Sequence, residues 1–271
     1  MSGGTKRQPH IQTVDPLWDA VRAAAQEIVR TEPSLSGMAV ASVLNHESFE
    51  QALAHRLAER LHHSDVGADL IRQVFQDALL LRPEIGLEAR ADLAATLERD
   101  PACHRAIEPL LYFKGYQAVQ THRFASALFK AGRRDFALYL QSRASQVFQV
   151  DINPSSRIGR GILMDHGTGI VIGETAVIGD NCSILQGVTL GGTGKSEEDR
   201  HPKIGSGVLI GAGAIVLGNI KVGDCARIAA GSVVVKEVPP HVTVAGVPAK
   251  IVGRAAQPSS DMDQMLADTT G

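Results

Sequence analysis

The chain has 271 residues, 44% hydrophobic and 21% charged, with a formal net charge of -2. That is the balance of a globular protein with a sizeable core, and it offers no electrostatic footprint for nucleic acid or an anionic membrane. No apolar run approaches the roughly 18 residues of a membrane span. The leading MSGGTKRQPH lacks the apolar stretch of a secretory signal.

Residues 1–14 are expected to be flexible. From Pro16 the chain reads as helical: Leu17, Val21, Ala24 and Ile28 recur at helical spacing, and Pro16 sits where a first turn tolerates it. Further helices are expected over roughly 36–62, 66–81 and 87–99, then along a long stretch from Pro109 to Phe148 that Gly115 and Gly132 should interrupt or end. All eleven aromatic residues lie at or before Phe148, whereas nineteen of the 27 glycines lie between Gly159 and Gly253. One fold rarely segregates residues in this way, so two domains are expected, 15–148 and 149–253, followed by a flexible polar tail over 254–271.

The second half has a period of six. Ile152, Ile158, Met164 and Ile170 are six apart; the register then slips by two, and Ile172, Ile178, Ile184 and Leu190 follow. After a gap come Ile204, Ile210, Val216, Val222, Ile228 and Val234. Six matches neither an amphipathic helix nor simple strand alternation. It fits a parallel β-helix in which each aliphatic residue points into a narrow prism and glycine turns the corners. The polar GGTGKSEEDRHPK between Leu190 and Ile204 breaks the repeat and should loop out, carrying Arg200 and His201 in a composition suited to anions.

Asp165-His166 stands out inside a hexapeptide. A histidine costs such a scaffold packing, and it is the natural base for taking a proton from a hydroxyl. Its orienting carboxylate could be Asp151 or Asp165; spacing does not choose between them. GTGKS is no P-loop, because Thr189 stands where that motif needs glycine and the flanks are hexapeptide. Lys195 could still meet the phosphate of another ligand. Cys103, Cys182 and Cys225 are scattered and form no CxxC pair, which points to a reducing, cytoplasmic setting without a disulfide framework or structural zinc.

Several segments together resemble the bacterial serine O-acetyltransferases: RDPA (99–102), PLLYFKGYQAVQ (109–120), FQVDINPSSRIGRGILMDHGTGIVIGETAVIG (148–179), QGVTLGGTGK (186–195), DRHPKIG (199–205), GAGAIVLGNIKVG (211–223) and GVPAKIVG (246–253). The resemblance implies an α+β chain, an N-terminal all-helical domain followed by a left-handed parallel β-helix of hexapeptide repeats with one extruded loop. It implies acetyl transfer from acetyl-CoA to the L-serine hydroxyl in a ternary complex, with no metal. His166 looks like the base and Asp151 its orienting partner. Asp100 and Asp165 look like the clamp for the substrate ammonium, and Arg200 and His201 the clamp for its carboxylate. Gly192, Ala212, Ala230 and Lys250 look like contacts to acetyl-CoA. The family further implies a homo-oligomer, trimer or dimer of trimers, and feedback inhibition by L-cysteine. Members that bind O-acetylserine sulfhydrylase carry a C-terminal isoleucine; this chain ends MLADTTG, which argues against a strong complex.

Three rivals share the repeat. An acyltransferase for a sugar or xenobiotic hydroxyl should lack the RDPA and DRHPK clamps. A γ-class carbonic anhydrase needs three zinc-binding histidines, and the solenoid offers only His166, His201 and His241 without paired spacing. A non-enzymatic scaffold leaves Asp165-His166 and the charged loop unexplained.

Overall fold

A computed structural model describes residues 15–194 and 198–255. The expectations for the first fourteen residues, Lys195 and the tail beyond Ala255 lie outside the described residues.

Eight α-helices come first: α1 (Pro16–Thr31), α2 (Ser36–Ala39), α3 (Phe49–Leu61), α4 (Ala68–Leu81), α5 (Glu84–Arg99), α6 (Ile107–Leu111), α7 (Lys114–Lys130) and α8 (Arg134–Phe148). Asp15 caps α1 by accepting from the Trp18 N–H at 3.1 Å, with Pro16 in the first turn. The single helix expected over 36–62 is two. A π-helical turn, Val40–Leu44, runs out of α2, and the chain breaks before Ser48 caps α3 through the Gln51 N–H. Gly115 does not interrupt a helix either. It is the second residue of α7, where a Cβ would sit 2.0 Å from the Met164 carbonyl oxygen. The break lies just before it, at Tyr112 and Phe113. Gly132, at φ 81°, does separate α7 from α8.

Fifteen short strands then wind into a parallel solenoid with three faces. The first face holds β1 (Val150–Ile152), β4 (Ile170–Ile172), β7 (Thr189–Gly191), β10 (Ile215–Leu217) and β13 (Val233–Val234). The second holds β2 (Arg157–Ile158), β5 (Val177–Ile178), β8 (Lys203–Ile204) and β11 (Lys221–Val222). The third holds β3 (Leu163–Met164), β6 (Ser183–Ile184), β9 (Leu209–Ile210), β12 (Arg227–Ile228), β14 (Val242–Gly246) and β15 (Ala249–Arg254), the last pair antiparallel.

The hexapeptide anchors stack as expected. Ile152 pairs with Ile172, Ile172 with Leu190, and Leu190 with Val216, all buried. Each such aliphatic side chain contributes about 1.5–3 kcal/mol by leaving water, and together they make the solenoid's spine. Register locates the two irregularities. Asp151 pairs with Val171 and Leu163 with Ser183, each twenty residues on, whereas Val171 pairs with Thr189, eighteen on. The two-residue slip is therefore a longer corner between β3 and β4, and the coils on either side stay in register. Val177 pairs with Lys203, twenty-six residues on, so the polar loop leaves between β7 and β8.

A buried polar cluster fastens the helices to the first coil. Asp92 on α5 and Arg123 on α7 pair at 2.7 Å with side chains 0% and 1% exposed. Asp92 also accepts from the Ile162 N–H at 2.8 Å and Gln120 Nε2 at 2.9 Å. Arg123 donates onward to the Gly159 carbonyl at 2.7 Å and to Glu88 at 2.9 Å. Arg99, at the end of α5, donates to the carbonyls of Gly161 and Asn181, both at 3.2 Å. The next residue is Asp100.

Candidate active site

The edge between the third and first faces carries His166. In later coils one left-handed glycine turns this edge: Gly187, Gly213 and Gly231, at φ 72°, 68° and 67°. The first coil spends its two extra residues here, and His166, Gly167 and Gly169 all take positive φ (56°, 77° and 76°). A non-glycine residue in that region costs of order 1–3 kcal/mol and persists where the surroundings hold it. They do: the Gly169 N–H donates to the Gln149 carbonyl at 2.8 Å, and a Cβ on Gly167 would press Val150 and Gly115. Lys114 reaches across to Gln149 and the Thr168 hydroxyl. The corner thus projects the His166 side chain, 71% exposed, into a cleft of about 530 Å³ lined by Thr96, Asp100, Tyr112, Lys114 and Asp165.

Two carboxylates face this cleft. Asp165 lies 3.5 Å from His166 Nε2 and is 20% exposed. Burial, and secondarily the nearby Asp100 charge, push its pKa above the ordinary 3.8, while His166 pulls the other way. Asp100 is held by the Ala102 N–H at 2.9 Å. Such a pair welcomes a cation, which relieves both the repulsion and the desolvation. A ligand held through its ammonium should therefore dissociate as Asp165 protonates. The affinity for that ligand is expected to fall in acid with a midpoint raised above the ordinary aspartate 3.8, a transition read by equilibrium binding of the ligand, which does not depend on the base. Asp100→Asn removes a charge that raises the Asp165 pKa, so this binding transition should move to lower pH; a binding–pH profile that moves upward or stays put would refute this.

Asp151 does not touch His166. It lies on β1 and accepts from Gln141 Nε2 at 2.7 Å, which holds one of its two oxygens. Within one chain the imidazole instead faces Asp165.

Arg200 and His201 are elsewhere. Their loop leaves the edge between the first and second faces, where Arg200 pairs with Glu174 at 2.6 Å and His201 is 7% exposed. Burial first, and the adjacent Arg200 second, lower the His201 pKa below its usual 6.5. Gly192 belongs to this edge: a Cβ there would lie 3.2 Å from Arg200 Cγ. Ala212 and Ala230 belong to the His166 edge. The Gly187 N–H donates to Thr168, the Gly213 N–H to Gln186 and the Gly231 N–H to Ala212, each at 2.8 Å, a column climbing from the His166 corner. Lys250 pairs with Ala245 at the top of the third face. The residues expected to form one site therefore divide between two edges of the prism.

Sequence reasoning passed over Tyr112 and Lys114 in the cleft wall, and Gln141, Asp92 and Arg123 behind it. The PLLYFKGYQAVQ stretch contained the first two, and its GY pair marks the close approach to Met164.

A family model described as serine acetyltransferase, N-terminal, matches residues 17–121, and one described as bacterial transferase hexapeptide (six repeats) matches residues 201–236. A serine acetyltransferase of Escherichia coli strain K12 is 50% identical over 255 residues, 93% of each chain. The crystal structure of a serine acetyltransferase in complex with coenzyme A from Brucella abortus superposes with a TM-score of 0.89 at 56% identity, covering 92% of this chain and 99% of that one. A soybean serine acetyltransferase complexed with serine gives 0.85 at 50% identity, covering 87% and 97%. With half its residues shared along nearly the full length of such relatives, this chain belongs to the serine acetyltransferase family.

Proposed function

We propose that this protein moves the acetyl group of acetyl-CoA to the side-chain hydroxyl of L-serine, giving O-acetyl-L-serine and CoA. The observation that carries the reading is the His166 corner: an exposed imidazole beside a paired-carboxylate cleft, below a column of small residues that can admit an extended thioester.

His166 takes the serine hydroxyl proton as the oxygen attacks the thioester carbon. Backbone N–H groups near Ala212 and Gly192 receive the oxyanion, each such donor contributing about 3 kcal/mol. The intermediate then expels CoA thiolate, which recovers the proton from the imidazolium. Asp151, one of whose oxygens Gln141 holds, is assigned to orient His166 once the imidazole turns away from Asp165, a contact not made within the single chain. Asp100 and Asp165 hold the ammonium; Arg200 and His201 hold the carboxylate, the guanidinium by a forked contact. Ala230 and Lys250 extend the CoA track. An acyl-cysteine is unsupported: Cys103 and Cys182 are buried, with thiols pushed up to about 12, and burial and then the neighbouring Asp224 raise the half-buried Cys225 as well.

The two clamps lie on separate edges of one prism, so a complete site needs the His166 edge of one copy against the loop edge of another. A heterologous contact repeated around a three-fold axis closes into a ring, which favours a trimer, or two trimers joined. L-cysteine carries the same ammonium and carboxylate as serine and is proposed to compete for the same clamps in the cytoplasm. A sugar would leave both clamps unpaired, which disfavours that acceptor. The test is thiol release from acetyl-CoA with L-serine, other amino acids and sugars. Release with L-serine is expected; release with a sugar and none with serine would overturn the assignment.

A further inference from the structure

We propose that Thr175 is a positioning residue for the acceptor's carboxylate, locking the Arg200–His201 dipeptide from the coil below and fixing His201 as a donor through Nε2. The inference rests on reading that dipeptide as the carboxylate clamp.

Thr175 lies in the corner between β4 and β5, and β8 stacks on β5 in register after the loop has made its excursion. Its hydroxyl therefore meets the returning chain. Thr175 Oγ1 accepts from the N–H groups of Arg200 and His201, both at 3.1 Å, and lies 2.9 Å from His201 Nδ1. The Thr175 N–H points at the same Nδ1 from 3.2 Å. Lys203 Nζ closes the arrangement on the carbonyls of Thr175 and His201, at 3.0 and 2.7 Å.

One atom settles the tautomer. A backbone N–H only donates, so Nδ1 must present its lone pair and the proton sits on Nε2. The Cδ2–Nε2 edge of the ring abuts Gly173, where a Cβ would come within 2.0 Å of Nε2, and lies beside Gly192, where it would stand at 3.4 Å. The imidazole cannot flip without losing its Nδ1 partners. His201 thus offers one aimed N–H next to the Arg200 guanidinium, a geometry that suits a carboxylate. The neighbouring Glu174 meanwhile holds the guanidinium at 2.6 Å.

The test exploits the two halves of the threonine side chain. Thr175→Val keeps the branched shape and loses the hydroxyl; Thr175→Ser keeps the hydroxyl and loses the branch. Steady-state kinetics with L-serine and with serinamide, which lacks the carboxylate charge, give the readout. Thr175→Val is expected to raise the serine KM about ten-fold, to lower kcat less than about two-fold, and to reduce the serine-over-serinamide preference about ten-fold. Thr175→Ser should restore all three. A Val variant with an unchanged serine KM, or a Ser variant as impaired as Val, would overturn the proposal, the latter showing that the threonine merely packs. Arg200→Ala and His201→Ala separate the two readings. If they shift the serine preference while Thr175→Val does not, positioning alone fails; if they leave it unchanged, the clamp reading falls and this proposal with it.

Discussion

Replacing His166 with alanine is expected to lower kcat by about 10²–10⁴-fold, the usual worth of a positioned general base, with little change in the acetyl-CoA KM. Asp165 faces the same cleft, yet it is assigned to the ammonium, and the buried Cys103 thiol, three residues from Asp100, is pushed up to about 12, too high to ionise near neutrality. The scaffold also spends conformation on this side chain, since His166 sits at φ 56° in a corner two residues longer than its equivalents. Alanine keeps the corner's connectivity and removes only the imidazole, so a correctly assembled but nearly inactive protein is expected. Stopped-time CoA release at saturating serine and acetyl-CoA measures it. A variant within about five-fold of the parent would remove His166 from the mechanism.

The largest structural effect is expected at Asp92. Truncation to alanine takes from Arg123, whose side chain is 1% exposed, its fully buried counter-ion, leaving it only Glu88 and the Gly159 carbonyl, and leaves the Ile162 N–H without its acceptor. Breaking a buried pair by removing one partner costs about 3–5 kcal/mol. Replacing both partners by apolar residues can be neutral elsewhere, but here it leaves the Ile162 N–H and the Gly159 carbonyl unpaired, each at about 1–3 kcal/mol. The double variant should therefore remain destabilised. Urea unfolding of Asp92→Ala and of the Asp92→Leu, Arg123→Met pair checks both statements. A loss under about 1 kcal/mol in the single variant would show that the cluster does not hold the helices to the solenoid.

The solenoid was legible because its physics is local and repeated. Ile152, Ile172, Leu190 and Val216 each recur after whole coils, and a prism too narrow for rings excludes every aromatic residue. The slip near Ile170 was equally visible, but its meaning was not. A period of six marks which residues point inward; it does not say which corner has grown. Only the registers of β3 and β4, Leu163 with Ser183 twenty on and Val171 with Thr189 eighteen on, put the extra residues beside His166. The same limit hid the division of the site, since motif order along the chain mixes the edges. Gly192, on the loop edge, precedes Ala212, on the His166 edge. In the helical half, the break at 45–48 carries neither glycine nor proline, so propensity ran straight through it. Isolated helical glycines usually weaken a helix, so Gly115 reads as a breaker; here the Met164 carbonyl demands it. Asp92 and Thr175 gave no signal because their partners lie 31 and 26 residues away, and carboxylates on helices or threonines in strand-rich repeats are ordinary.

The His166 edge and the Arg200 loop are expected to act as one site across two copies of the chain. His166→Ala and Arg200→Ala subunits should each assemble into nearly inactive oligomers. When the two are unfolded together at equal amounts and refolded, a site is intact wherever an Arg200→Ala copy lends its histidine to a neighbour that still has its arginine. Random assembly into a closed heterologous ring makes about a quarter of the sites intact. Serine-dependent CoA release is therefore expected to return to about a quarter of the value for the refolded parent. Activity no greater than the sum of the two separate variants would contradict the shared site.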